Sequence, residues 1–352
     1  MGGAAGAPTF VPFAHPPFPV LKKGTGGVLA KVQLVTVTFA GWKGESHAHA
    51  YGDALVKSEW LATVGADYGV GKGDHLAEIV LAETAPATID DSEFPAFLTQ
   101  RINAGTLPKP ATAKNDFLYV LYFPSTTKIT QSGETSCNDF GAYHYAATIP
   151  GVGRVAYAPI PECPGGIGET ESAVSHEVIE AATDPDPQSP TWNMLANPWT
   201  RAIFPGFPTA EVGDVCFNLN PWKEGSFTYT RSWSMSAAAA GKEPCVPTLA
   251  GVPAFGVVPP ATTTTATAGQ QVTITVTGWS DAAMPNWLIS LDQVAGTWGI
   301  GGKFSSVLIN NGFTSNLVFT VPANAAKGPA YFFIDSTYKG EVHHTPVVVT
   351  VK

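Results

Sequence analysis

The sharpest chemistry in this sequence lies in Ser175-His176-Glu177-Val178-Ile179-Glu180-Ala181-Ala182-Thr183-Asp184-Pro185. On a helix, His176 and Glu180 stand at i and i+4 and so share one face, a turn apart. This is the spacing by which H-E-x-x-H sets two ligands on one metal ion, with the intervening glutamate as general base. Here Glu180 takes the place of the second histidine, and a carboxylate oxygen is an accepted zinc ligand. The pattern predicts His176 and Glu180 as metal ligands. It makes Glu177 the catalytic base acting on water whose pKa the metal lowers. An amphipathic helix with solvated His and Glu would show the same residues, so the reading depends on ligands from elsewhere in the chain.

Two further clusters offer them. In Ala210-Glu211-Val212-Gly213-Asp214-Val215-Cys216, either Glu211 or Asp214 can supply the third protein ligand, leaving one position open for water. The bland alternative is a turn in which Asp214 bonds neighbouring amides. In Cys137-Asn138-Asp139-Phe140-Gly141-Ala142-Tyr143-His144, the histidine is expected on a strand, as a catalytic, substrate-polarising donor or a fourth metal contact. The ion expected from these donors is zinc, with calcium as the alternative. Other candidates are weaker. His47 and His49 are read as an exposed polar loop, and His343-His344 as surface. Asp184 and Asp186 among prolines read as a helix stop rather than a calcium site. Gly69–Gly73 lacks the context of a phosphate loop, and there is no G-x-S-x-G serine motif.

The elements that must position these residues follow from periodicity. Residues 32–39 and 116–123 read as strands, the second apolar on both faces and therefore covered on both. Residues 53–68, 89–103 and 171–183 carry helical spacing, and the last is stopped by Asp184-Pro185. Residues 142–148 and 154–160 read as further strands. The expected first unit, 28–247, is an α/β (α+β) zincin-like layered domain with a mixed sheet. From 261 to 352 seven short alternating runs recur at roughly ten-residue spacing, the signature of an immunoglobulin-like β-sandwich. Residues 248–260, rich in proline, are expected to be a semi-rigid linker between independent units. Residues 1–27 read as an extended arm, or the remnant of a pro-segment.

Composition restricts the partners. Of 352 residues only 13% are charged, and 19 Lys and Arg against 28 Asp and Glu give a net charge of −9, which argues against nucleic acid. No run is long and apolar enough to span a membrane. Low charge with abundant Gly and Pro suits a secreted protein. The four cysteines, Cys137, Cys163, Cys216 and Cys245, show no C-x-x-C pair and favour two disulfides. Of three connectivities, the short loops favour Cys137–Cys163 and Cys216–Cys245. Met1-Gly2-Gly3 opens with no basic or apolar signal region, so a signal peptide is expected to be absent or already removed.

In combination, S-H-E-x-x-E-x-x-T-[DN]-P followed by E-x-G-D-x-C resembles the EXORDIUM (phosphate-induced protein) family of plants and its bacterial relatives. Three other pieces fit in order: Cys137 to His144, Val155-Ala156-Tyr157 through Cys163-Pro164-Gly165, and Ser232-Trp233-Ser234 with Cys245. The resemblance spans about residues 32–247. It implies an extracellular protein, linked in plants to growth control. This chain departs from the plant members by lacking their long glycine-rich stretch and by adding the sandwich. The expectation is therefore a secreted zinc metallopeptidase, monomeric, acting on extracellular protein or polysaccharide. The rival is a non-catalytic extracellular binding protein holding a structural ion.

Overall fold

The structure is a computed structural model and describes residues 9–112, 115–217 and 219–352. The expected arm therefore falls partly, at 1–8, outside the described residues, as does the Met1-Gly2-Gly3 start. Residues 9–20 carry no regular secondary structure.

A five-stranded sheet organises the first unit. Its strands are β1 (Lys31–Phe39), β2 (Gly71–Leu81), β3 (Phe117–Phe123), β4 (Tyr145–Ile149) and β5 (Gly153–Pro161), in the order β2-β1-β3-β5-β4. All neighbours are parallel except the β4–β5 hairpin. Alternation divides the sheet's side chains between two cores. Leu34, Leu118, Val120, Ala158 and Ile160 share one core with helices α1 (Glu45–Lys57) and α2 (Glu59–Gly65). Val35, Val37, Tyr119, Leu121 and Tyr157 share the other with Phe94, Leu98 and Ile102 of α3 (Phe94–Asn103). Every residue of β3 is buried, as a strand covered on both faces requires. Helix α4 (Ile167–Thr183) lies on the first of these faces, with Val174, Val178, Ile179 and Ala182 in its core.

The second unit is a two-sheet sandwich. One sheet contains β6 (Phe255–Val258), β8 (Gln271–Ser280), β10 (Gly301–Phe304) and β12 (Thr314–Thr320). The other contains β7 (Thr263–Ala266), β9 (Trp287–Gly296), β11 (Leu308–Ile309), β13 (Gly328–Tyr338) and β14 (Glu341–Val351). The leading strand is split: β6 pairs antiparallel with β8, and β7 then pairs parallel with the last strand β14. This split closes both sheets around Phe255, Trp287, Phe319 and Phe332, in the immunoglobulin-like manner.

Several expectations are corrected. The α/β zincin-like layered fold does not describe this chain. Strand occupies 39% of it and helix 20%, so the protein is mostly β. The strands are spread over seven sheets among the described residues, many in pieces of two to four residues that leave no periodic trace. Helix 53–68 is two helices broken at Ser58, whose hydroxyl accepts from Leu61 N and caps α2. Helix 89–103 begins only at Phe94, because Asp90 and Glu93 form a capping box on the preceding 3₁₀ turn. His47 and His49 lie on α1, not in a loop. The Pro-rich 248–260 segment contains β6, whose Phe255 is fully buried.

Nor are the two units independent. Ala295, Tyr331, Phe333 and Val348, on the outer face of the sandwich, join the core that holds Trp199 and Ala202 of α5 (Pro198–Ile203). The arm crosses the same junction: Phe13 N donates to Asn311 Oδ1, and the His15 ring stacks on Trp279 at 4.0 Å.

Candidate metal centre

Helix α4 sets the centre because it is buried on more than one side. Alanines and branched aliphatics face the sheet, while Glu171, Ser175, Glu177 and Glu180 are buried as well. Two of these polar groups are structural. Glu171 accepts from His47 Nε2 and Thr228 N, each at 2.8 Å, and Ser175 Oγ accepts from Thr230 N. The helix stops where expected, with Asp184 N donating to Glu180 O and Pro185 following.

A second segment meets α4 at its C-terminal half. Thr209–Ala210 is a short strand and Asp214–Cys216 a 3₁₀ turn. Three contacts fix this loop. Trp233 N donates to Val212 O, Trp199 Nε1 donates to Val215 O, and Cys216 is bridged to Cys245. Cys137 and Cys163 form the other bridge, so both expected pairs are present. Within the loop Glu211 N donates to Asp214 Oδ2, and Asp214 N donates to Glu180 Oε1. Gly213 is needed here for space. A β-carbon at this position would lie 2.9 Å from Glu180 Oε1 and 3.0 Å from His176 Nδ1.

These contacts bring the predicted ligands together. His176 Nε2 lies 3.2 Å from Glu180 Oε1 and 3.5 Å from Asp214 Oδ1. His176, Glu177 and Glu180 each present a ligand atom within 4.8 Å of the others, and so do His144, Glu180 and Glu211. His144 is not on a strand. It sits just before β4, where its Nε2 lies 2.9 Å from the Asp184 carbonyl. Its Nδ1 faces Glu177 Oε2 at 3.5 Å and Glu180 Oε2 at 3.8 Å, and Glu211 Oε2 is 3.5 Å from Nε2.

Electrostatics here are unusual in direction. Burial alone would lower the His144 pKa, but Glu211, Glu177 and Glu180 overrule it and raise it to about 10. His176 is raised against its burial by Glu180 and Asp214. Burial and Asp214 push Glu180 up to about 7, and burial pushes Glu211 up. Burial would also raise Asp214, but its hydrogen bond and charge interaction with His176 hold it low. Among the described residues no Lys or Arg forms an ion pair with any of these carboxylates; Arg154 pairs with Asp186 instead.

The donor set fits a divalent cation. It mixes imidazole and carboxylate on one helix and one braced loop, and Glu211 Oε2 and His176 Nδ1 are buried without hydrogen-bond partners. The exposed part of the centre is the side carrying Glu211 and Asp214, whose side chains are 22% and 20% exposed. Beside it Phe217 meets the His176 ring edge-on, with Phe204 next in line. A cavity of about 250 Å³ lies elsewhere, lined by His15, Phe18, Trp199, Phe255 and Trp279, and includes none of the cluster.

Sequence reasoning missed two parts of the centre. Asp184 was read only as a helix stop, yet its carbonyl orients His144. Gly213 was read only as a motif letter, yet its lack of a side chain lets the loop close on His176. His343 and His344, expected at the surface, are buried on β14. His343 Nδ1 lies 2.8 Å from Phe255 O, and His344 Nδ1 lies 2.7 Å from Asp335 Oδ1.

No family profile and no curated protein matches this chain. Solved structures do match parts of it. Domains 4 and 5 of the S-layer protein SbsC share 17% identity over 28% of this chain and 53% of that one, with a TM-score of 0.23. The GspB Siglec domain shares 12% over 28% and 57%, at 0.22. The titin M3 domain shares 12% over 28% and 96%, at 0.20. The chain thus spans about half the length of the SbsC fragment. At these TM-scores the likenesses carry no argument, and the sandwich assignment rests on its own strand order.

Proposed function

We propose that this chain is a secreted zinc-dependent hydrolase, a metallopeptidase related to the EXORDIUM-like proteins its motifs resemble. One observation carries the reading. A helix and a disulfide-braced loop converge His176, Glu180 and Asp214 to within 3.5 Å around His176 Nε2, and no Lys or Arg among the described residues forms an ion pair with them. The third ligand is Asp214 rather than Glu211, because Asp214 faces His176 while Glu211 faces His144. When bound there, zinc supplies Lewis-acid polarisation of a carbonyl and lowers the pKa of water.

The chain's own residues supply the rest. Glu177, buried beside the ligand pair, takes the proton of the attacking water on its carboxylate and returns it to the leaving amine. His144 holds its Nε2 proton on the Asp184 carbonyl and orients Nδ1 toward Glu177 Oε2. Exposed Phe217, edge-on to the His176 ring, with Phe204 and exposed Phe207 next in line, offers apolar surface that suits a peptide with hydrophobic side chains. The two disulfides agree with an extracellular setting.

A protease assay with and without chelator tests this, together with Glu177→Gln. That variant keeps its metal and loses roughly 10²-fold or more in turnover. Full activity in Glu177→Gln would end the mechanism. Retained metal with no chelator-sensitive hydrolysis in wild type would favour an extracellular binding protein with a structural zinc or calcium. The burial of most of the cluster speaks for that alternative.

A further inference from the structure

We infer that the centre binds two divalent cations, not one, with the Glu180 carboxylate bridging them. The inference rests on the metal reading above and extends it to a second site formed by His144, Glu180 and Glu211.

Two observations carry it. First, the two oxygens of Glu180 face different histidines: Oε1 lies 3.2 Å from His176 Nε2, and Oε2 lies 3.8 Å from His144 Nδ1. A carboxylate so placed can serve one ion with each oxygen, the arrangement of two-metal sites with ions about 3.5–4 Å apart.

Second, every polar partner of the His144 ring among the described residues is an oxygen. A carbonyl only accepts, so Nε2, at 2.9 Å from Asp184 O, must carry a proton. In a neutral ring the Nδ1 lone pair then confronts Glu177 Oε2 and Glu180 Oε2, acceptor against acceptor. That lone pair is the ring nitrogen left to ligate, and it lies 3.8 Å from Glu180 Oε2. A histidine whose other nitrogen donates to a backbone carbonyl is also the usual setting of a metal ligand. The His144 side chain is only 4% exposed, so water cannot dissipate this conflict. Glu211 Oε2, 3.5 Å from the ring's Nε2, is buried with no hydrogen-bond donor, and Glu211 offers a ligand atom within 4.8 Å of those of His144 and Glu180.

The full chain, stripped with chelator and dialysed into metal-free buffer, is titrated with Zn²⁺ and its bound metal measured. Two zinc ions per chain are expected, falling to one in Glu211→Gln and in His144→Ala. Saturation of wild type at one ion would overturn this inference and leave the single-ion reading standing. Saturation at none would overturn both. A second measurement needs no variant. Wild type loaded with two Co²⁺ should give an electron paramagnetic resonance signal below twice that of the one-Co²⁺ form, because ions sharing a carboxylate couple. Two additive, uncoupled signals would overturn the bridge.

Discussion

Two of the buried polar clusters among the described residues solve the problem of buried charge in opposite ways. Where the units meet, Arg231 Nη1 donates to Glu341 Oε2 at 2.6 Å, and Arg231 Nε donates to Asn220 O. Glu341 also accepts from Leu249 N; Glu243 accepts from Cys245 N and sits 3.3 Å from His343 Nδ1. That cluster carries its own cation and is closed by backbone donors. Around α4, by contrast, five carboxylates meet two imidazoles, and among the described residues none of the five is ion-paired with a guanidinium or ammonium. Burial is common to both, so burial does not mark function. The missing counter-charge does, because a chain that leaves it out has left room for an ion from solution.

The largest expected effect breaks the self-sufficient cluster. Arg231→Met strands Glu341, which is fully buried, and should cost about 3–5 kcal/mol in urea unfolding. Adding Glu341→Leu should recover most of that loss, since an apolar pair of similar volume replaces a buried ion pair at little cost. Neither change should alter metal content. A double variant as unstable as the single one would mean that Arg231 acts through packing instead.

Next comes the brace on the metal loop. Cys216 and Cys245 are 29 residues apart, and opening the bridge with Cys216→Ser and Cys245→Ser should cost about 3 kcal/mol in the chain-entropy account. Because that bridge anchors Asp214, metal affinity should fall in the same variant. Opening Cys137–Cys163 should cost similar stability with a smaller effect on metal. Equal losses of affinity from both would remove the loop's special role.

These residues differ in how far the sequence reveals them. The i, i+4 pair His176 and Glu180, the Asp184-Pro185 stop and the all-apolar 117–123 strand are local signals, and local signals survive folding. The partners of His144 are not local: Glu180 and Glu211 are 36 and 67 positions away, and their meeting depends on a hairpin and a loop whose packing no spacing encodes. Strand β2 was unreadable for another reason. As an edge strand it buries few residues and carries Lys72, Asp74 and Glu78, so its pattern is that of a polar segment. His47 and His49 were misread because α1 opens without a side-chain cap. The strand Phe255–Val258 was hidden by its prolines, which tolerate a strand at its edge or end. The layered α/β assignment failed because three long helical patterns outweighed many short strands.

A subtler break is Gly213→Ala. The backbone there is ordinary, so the added methyl meets His176 and Glu180 without straining the turn. Metal affinity should fall about 10–100-fold, as for other residues that orient ligands, while the unfolding midpoint of the metal-free protein barely moves. Unchanged affinity in a titration would mean the loop stands further from the ligands than described.

A last break is a pH trend with an unusual sign. Glu180 titrates at about 7 in the folded protein against 4.5 ordinarily, so without metal the fold holds a proton that the unfolded chain has released. Stability from this group is present below 4.5 and is lost as pH rises to about 7. His144, at about 10 against 6.5, likewise contributes below 6.5 and loses that contribution toward 10. The metal-free protein should therefore weaken steadily between pH 5 and 9. The loaded protein should not, because ions replace those protons, and apparent metal affinity should rise over the same range. Parallel curves with and without chelator would contradict this.

The central claim is that the cluster around α4 is completed by an ion that the chain does not supply. Elemental analysis of the 352-residue chain, purified without chelator and dialysed against metal-free buffer, tests it most directly when run beside His176→Ala. The account predicts tightly held divalent metal in the wild type, at one ion per chain or more, and its loss in the variant. A folded wild type containing no metal, and taking up none from added zinc or calcium, would contradict it.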